Sequence, residues 1–249
     1  MKTEWDYTEL ADAYLQRPDY ADSAIEEMLE ICGTKPNDKV CDVGAGVAHL
    51  TLMLASRGLI VTAGEPNDAM RSNGIKRTAG FKDVSWYEGT GEHTGQADKG
   101  FRLVTFGSSF NVCDRAAALI ESSRILEPNG WFACMWNHRS LADPIQSKIE
   151  SCIKNIVPDY QYGTRREDQT EAINESGLFN PVTKLMGEVI HEQSIEDCVS
   201  AWKSHGTLDR QAGTAFPDVI RSIESYLKGL NVASIQVPYT TNVWVAQLK

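Results

Sequence analysis

The stretch KVCDVGAGVAHLTLMLASRG, residues 39–58, constrains this chain more than any other. Lys39 to Val43 reads as a short strand. Gly44 and Gly46 follow, and then Leu50, Met53 and Leu54 recur at helical spacing as far as Gly58, which stands where a helix-ending glycine belongs. A strand that turns on glycines straight into a helix is the first half of a βαβ crossover. Crossovers of this kind build a parallel sheet covered by helices on both faces.

The rest of the chain continues the alternation. Two helical stretches are predicted near residues 6–16 and 19–32, the second with Asp22 and Ser23 as candidate caps and Ile25, Met28, Leu29 and Cys32 as its apolar face. LIVTAGE (59–65) reads as a second strand, and Asn67 caps a helix running to about Thr78. VSWYEG (84–89) and FRLVTFGS (101–108) are the third and fourth strands. RAAALIESSRIL (115–126) is helical, and Pro128-Asn129-Gly130 turns into WFACMW, the fifth strand. Beyond residue 140, DPIQSKIESCIKNIV is a helix, VTKLMGEVIHE a strand, 195–230 mainly helical, and SIQVPYTTNVWVAQL a closing strand or hairpin. With no repeat or linker to divide it, the chain reads as one domain in three parts: an N-terminal helical lid (1–36), a nucleotide-binding core (37–140), and a remainder (141–249) whose insertion at about 194–230 caps a pocket.

In an open α/β sheet ligands bind beyond the carboxyl ends of the strands, where the glycine turn lies. Gly44 and Gly46 let the backbone bend sharply and approach a ligand without a Cβ in the way. A dinucleotide fingerprint would place a third glycine three residues after Gly46, and His49 stands there instead. Asp42, two residues before Gly44, would set a carboxylate against a pyrophosphate but would attract a cofactor carrying an ammonium and a sulfonium. Glu65 ends the second strand nineteen positions after Gly46, about the offset of a ribose-binding acid. That acid is common to NAD and S-adenosylmethionine sites.

VCDVGAGVAHLTLMLASRG followed by GEPNDAM resembles the class I S-adenosylmethionine-dependent methyltransferases, in the small-molecule group built on the type 11 domain. That family's first motif is an acid followed by G-x-G-x-G, its last glycine often an alanine, here Ala48. Its second-strand acid is commonly followed five positions later by methionine, as Glu65 is by Met70. VSWYEGTGE, FRLVTFGSSF and SSRILEPNGWFACMW are similar to its third, fourth and fifth strand regions, with Thr90 where an aspartate is frequent. The resemblance spans roughly residues 5–140. It implies a Rossmann-like, doubly wound, seven-stranded sheet, mostly parallel with an antiparallel last strand, and S-adenosyl-L-methionine as cofactor. It further implies that Asp42, Gly44, Ala45 and Gly46 line the methionine part of the cofactor, Glu65 with Pro66 the ribose, Met70, Thr90 and Gly91 the adenine, and Ser108 the floor beside the methyl. Tyr7, Tyr14 and Arg17 resemble a lid over it.

Methyl transfer is an in-line displacement, so positioning and desolvation supply most of the rate, and a base is needed only where the acceptor must lose a proton. His138, in WNHRS after the fifth strand, is the first candidate base, with Glu92 and His93 as rivals. Phe110, Asn111, Asn137 and Trp202 are candidate acceptor-pocket walls. Arg139, Arg165, Arg166, His205 and Arg210 are candidates to hold an anionic acceptor, because guanidinium pairs bidentately with carboxylate or phosphate. Each has a plainer reading as packing, cap or surface ion pair.

A formal charge of −10 opposes nucleic acid as the main partner, and SSFN (108–111) replaces the N/D-P-P-Y/F box of that family's base-modifying members. The expected acceptor is therefore a small molecule methylated on O or N, among which a carboxylate or nucleotide-linked sugar would suit the arginines. Six dispersed cysteines with no C-x-x-C pair signal neither zinc nor disulfides, and no metal site is expected. No segment reaches the length of a membrane span and the N-terminus lacks an apolar leader, so a cytoplasmic monomer or homodimer is expected. The same fold also hosts S-adenosylmethionine chemistry other than methylation, and non-catalytic partner subunits.

Overall fold

The computed structural model describes residue 8 and residues 11–162 and 167–249. Tyr7, Arg165 and Arg166 lie outside the described residues. The described residues form a seven-stranded sheet in the order β3-β2-β1-β4-β5-β7-β6. Strands β1 (Lys39–Val43), β2 (Ile60–Gly64), β3 (Val84–Tyr87), β4 (Phe101–Gly107) and β5 (Leu126–Arg139) are parallel where they pair. β7 (Ser234–Gln247) runs antiparallel to β5 and to β6 (Thr183–Ser194), so β7 alone opposes the rest. Strand order reverses beside β1, which places the carboxyl ends of β1 and β4 at the ligand-binding crevice of this architecture.

The glycine signals explain the first crossover. β1 ends at Val43, Gly44 and Gly46 take φ of +67° and +57°, and α3 (His49–Ala55) begins at once. Ala48 is also left-handed at φ +76° and wholly buried, which delays the helix to His49. Gly58 closes the helix at φ +78°. Asn67 caps α4 (Asp68–Thr78) by accepting from the Met70 amide at 3.0 Å.

Two cores sandwich the sheet. One face packs α2 (Asp22–Ile31) and α3, through Ile25, Met28 and Leu54, against Val40, Val61 and Leu103. The other packs α5 (Arg115–Ile125), through Ala118 and Leu119, against Val104, Phe106, Phe132 and Trp136. A third core joins α6 (Pro144–Ile156), α8 (Ile195–Lys203), α9 (Gly206–Ala212) and α10 (Phe216–Gly229) around Ile153, Trp202, Leu208 and Ile223. α1 (Ala11–Tyr14) is a single turn resting near α4, and α7 (Thr170–Glu175) leads into β6.

Two expectations need correction, and a third resolves between its alternatives. The cap residue of α2 is Ala21, not Asp22 or Ser23, and its amide donates to Thr241 Oγ1 of β7 at 2.8 Å. The closing segment, expected as a strand or hairpin, is one fourteen-residue strand. Its Pro238 falls just past the last β5 partner, Tyr239, so the missing N–H breaks no β5 ladder bond. β5 starts earlier than WFACMW, at Leu126, absorbing the Pro-Asn-Gly turn through a register shift against Phe101 and Leu103. Among the described residues, no helix is long and apolar enough to cross a membrane.

Candidate active site

A single cavity of about 540 Å³ runs from the glycine turn, across the carboxyl ends of β4 and β5, to α6, α8 and α9. That is within the range of roughly 300–1,000 Å³ usual for small-molecule sites.

The turn is braced from every side. Ala45 N donates to Gly64 O at 2.9 Å, Arg77 of α4 donates to Val47 O at 2.6 Å, and Ser109 Oγ donates to Val43 O at 2.6 Å. Glu65 closes it: its Oε2 accepts from Gly46 N at 2.9 Å and its Oε1 from Asn67 N at 2.8 Å. Each oxygen has one amide partner there and keeps a lone pair for a ligand hydroxyl. Burial raises the Glu65 carboxyl above the usual range while those two amides hold it down. A Cβ at Gly46 would meet nothing within 4 Å, so the backbone there borders open cavity. A cradle with a desolvated carboxylate at its rim and a buried acid below fits a nucleoside carrying positive charge.

That buried acid is Asp42. It is fully buried, and its oxygens accept from Thr51 Oγ1 at 2.6 Å and Thr105 Oγ1 at 3.0 Å. Burial pushes its carboxyl up to about 6, against the pull of those hydroxyls and the Thr51 amide. The threonines carry no motif and were invisible in the sequence until β1, α3 and β4 were brought together.

At the end of β4, Ser108 takes φ +60°, a left-handed conformation that non-glycine residues adopt at a cost. Its hydroxyl lies 2.9 Å from the Tyr20 hydroxyl. Burial drives the Tyr20 phenol far above its ordinary pKa, so it stays protonated. Sequence reasoning passed over Tyr20, whose PDY context resembles an ordinary helix start. Met70, Thr90, Gly91 and Pro66 line the cavity near Glu65, as do Tyr14 and Arg17, with the Arg17 guanidinium 3.5 Å from the Tyr14 ring centre. His49 reaches the same segment: Nδ1 lies 2.7 Å from Asp19 Oδ1 and Nε2 lies 2.9 Å from Tyr14 O. Only the imidazolium donates to both.

At the far end, Asn137, His138, Arg139, Trp202 and His205 line the cavity. Asn242 Nδ2 donates to His138 Nδ1 at 3.2 Å, so a neutral His138 carries its proton on Nε2. His205 Nδ1 accepts from the Leu208 amide at 3.2 Å as the cap of α9. Asn137 ties Asp19 O, at 2.9 Å, to Thr241.

Other candidates lie elsewhere. Phe110 is buried in an edge-to-face cluster, 5.4 Å from Phe106 and 5.3 Å from Phe132, and does not wall the cavity. Asn111 accepts from Trp136 Nε1 at 3.0 Å behind it. Glu92 borders the cavity beside Gly91 while its Oε1 accepts from the Asp114 amide at 2.8 Å, and His93 is exposed outside it. Arg210 is exposed on α9 beside Thr207, away from the cavity. Of the three cationic candidates among the described residues, Arg139 and His205 reach the cavity wall.

Residues 41–134 match the model of a family described as a methyltransferase domain. A Mycobacterium tuberculosis protein named as an uncharacterised methyltransferase is 32% identical over 123 residues, 49% of this chain and 48% of that protein. The ubiquinone/menaquinone biosynthesis C-methyltransferase UbiE of Shewanella oneidensis is 29% identical over 177 residues, 68% of this chain and 70% of its own. The chain thus spans about half the length of the first curated relatives it matches. In fold it is similar to Haemonchus contortus phosphoethanolamine N-methyltransferase 2 in complex with phosphomonomethylethanolamine and S-adenosylhomocysteine, at a TM-score of 0.54 and 14% identity over 96% of this chain and 56% of that one. In sheet order and glycine turn the chain is similar to the class I S-adenosylmethionine-dependent methyltransferases, and residues 41–134 carry the likeness to their methyltransferase domain.

Proposed function

We propose that this protein transfers a methyl group from S-adenosylmethionine to the oxygen or nitrogen of a small molecule held beneath α6, α8 and α9. The observation that carries this reading is the continuity of one cavity from Glu65 and the glycine turn to Arg139 and Trp202. When bound, S-adenosylmethionine supplies an electrophilic methyl on a sulfonium.

Glu65 would hold the ribose hydroxyls, Gly44 to Gly46 the methionine part, and Met70 with Thr90 and Gly91 the adenine. Asp42 supports binding of a cation through its buried charge. Tyr20 and Ser108, hydrogen-bonded to each other and both lining the cavity, would position the acceptor. His138 has its Nδ1 lone pair engaged by Asn242 and acts as a hydrogen-bond donor rather than a base. The rate then comes mainly from placement and exclusion of water.

Co-crystallisation with S-adenosylhomocysteine tests the assignment. The ribose is expected on Glu65 and the homocysteine part along the glycine turn. Density for the nucleoside at the α6–α8 end, or none at Glu65, would contradict it.

A further inference from the structure

The far end of the cavity holds polar atoms that the fold leaves unused. Gln146, the third residue of α6, is 2% exposed, and neither Nε2 nor Oε1 of its amide has a partner among the described residues. Gln193, near the end of β6, is 3% exposed with Oε1 unpartnered, and Trp202, on α8, is 3% exposed with its indole Nε1 unpartnered. All three line the cavity. Trp202 has its ring already engaged by the Arg139 guanidinium, 4.4 Å from the ring centre, and by His205, stacked at 5.3 Å. What it has left to offer is the N–H.

A buried polar atom without a partner costs roughly 1–3 kcal/mol. Four of them lining one cavity are tolerable only if water meets them in the free protein and a ligand in the complex. They comprise two carbonyl oxygens that accept and two N–H groups that donate. The charged side chains lining this end are Glu150, which is 2.8 Å from Lys154, and Arg139, whose guanidinium lies over the Trp202 ring, so the choice between an anion and a neutral group turns on the unpartnered atoms. A carboxylate or phosphate could accept from Gln146 Nε2 and Trp202 Nε1, yet would bring only lone pairs to the two carbonyl oxygens. A group with donors and acceptors side by side satisfies all four.

Building on the methyl-transfer reading, we propose that the acceptor is recognised at this end through an uncharged polar group, either the N–H/C=O edge of an amide or lactam or a pair of vicinal hydroxyls, with Gln146 and Gln193 determining specificity. The site thereby disfavours the carboxylate that the arginines of the sequence suggest.

Gln146→Met and Gln193→Met keep side-chain length and remove the polar atoms. Wild type and both variants are saturated with S-adenosylhomocysteine, and 2-pyridone, cis-cyclohexane-1,2-diol and benzoate are titrated by ligand-observed NMR. The lactam or the diol should bind wild type more tightly than benzoate does, and whichever binds better identifies the source. Its affinity should fall about tenfold in each variant, the scale of one or two lost hydrogen bonds. The melting temperatures of the variants should stay at or above that of wild type, because no contact within the protein is removed. The inference is overturned if benzoate binds best, if neither uncharged probe binds, if the variants bind like wild type, or if both variants melt lower. Failure of S-adenosylhomocysteine to bind any of the three proteins sinks the methyl-transfer reading as well, whereas its binding without discrimination among probes sinks this inference alone.

Discussion

Asp42 carries a charge that only hydroxyls and an amide attend, and its titration gives that arrangement a measurable signature. Its carboxyl sits at about 6 in the folded chain against 3.8 ordinarily. Between those values the folded chain holds a proton that the unfolded chain has released. Stability contributed here therefore falls as pH rises through that window and levels off above it. Asp42→Asn, neutral throughout, should abolish that slope in urea melts. A bound cation would pull the carboxyl down, so S-adenosylmethionine should bind wild type about tenfold more tightly above pH 6 than below it, one pKa unit of interaction. Equal affinity on both sides, measured by calorimetry, would remove Asp42 from the account.

At the scale of elements, the position that breaks the dinucleotide pattern turns out to have a task of its own. His49 joins the start of α3 to Tyr14 and Asp19, fastening the N-terminal segment over the cradle. His49→Ala should speed amide exchange around Leu15 to Arg17 and weaken cofactor binding several-fold, and unchanged exchange would show that the segment is held by other contacts. α4 is fixed more tightly. A Cβ on Gly74 would overlap the Trp86 indole and come within 3.0 Å of Gly46 O. Gly74→Ala should therefore destabilise by about 1–3 kcal/mol in denaturant melts, outweighing the gain of about 1 kcal/mol from helix propensity.

Elements whose signals are local were readable in advance. Lys39–Val43 alternates with nothing and is bounded by charge and glycine, and Asn67 with Thr78 brackets α4 to the residue. Gly44, Gly46 and Glu65 were equally legible because a backbone turn and an acid at fixed spacing leave a mark in sequence. What stayed hidden depends on distant partners. Thr105 meets Asp42 only through the pairing of β1 with β4, Gln193 and Gln146 come to line one cavity from β6 and α6, and Phe110 looked like a pocket wall until Phe106 and Phe132 closed against it.

For the whole molecule, the proposed function assigns the cofactor end to the carboxyl ends of the sheet and the acceptor end to the third core, built by α6, α8, α9 and α10. The two ends draw on different residues, so each can be perturbed separately: Glu65 should govern cofactor affinity and Gln146 acceptor affinity. The most direct measurement is isothermal titration of the protein with S-adenosylmethionine, S-adenosylhomocysteine and NAD, on wild type and Glu65→Ala. The account predicts that both adenosyl ligands bind wild type, that NAD does not, and that Glu65→Ala weakens the adenosyl ligands by tenfold or more, the loss of a charge-assisted hydrogen bond worth about 1.5–3 kcal/mol. Binding of NAD alone, or adenosyl-ligand affinity indifferent to Glu65, would contradict it.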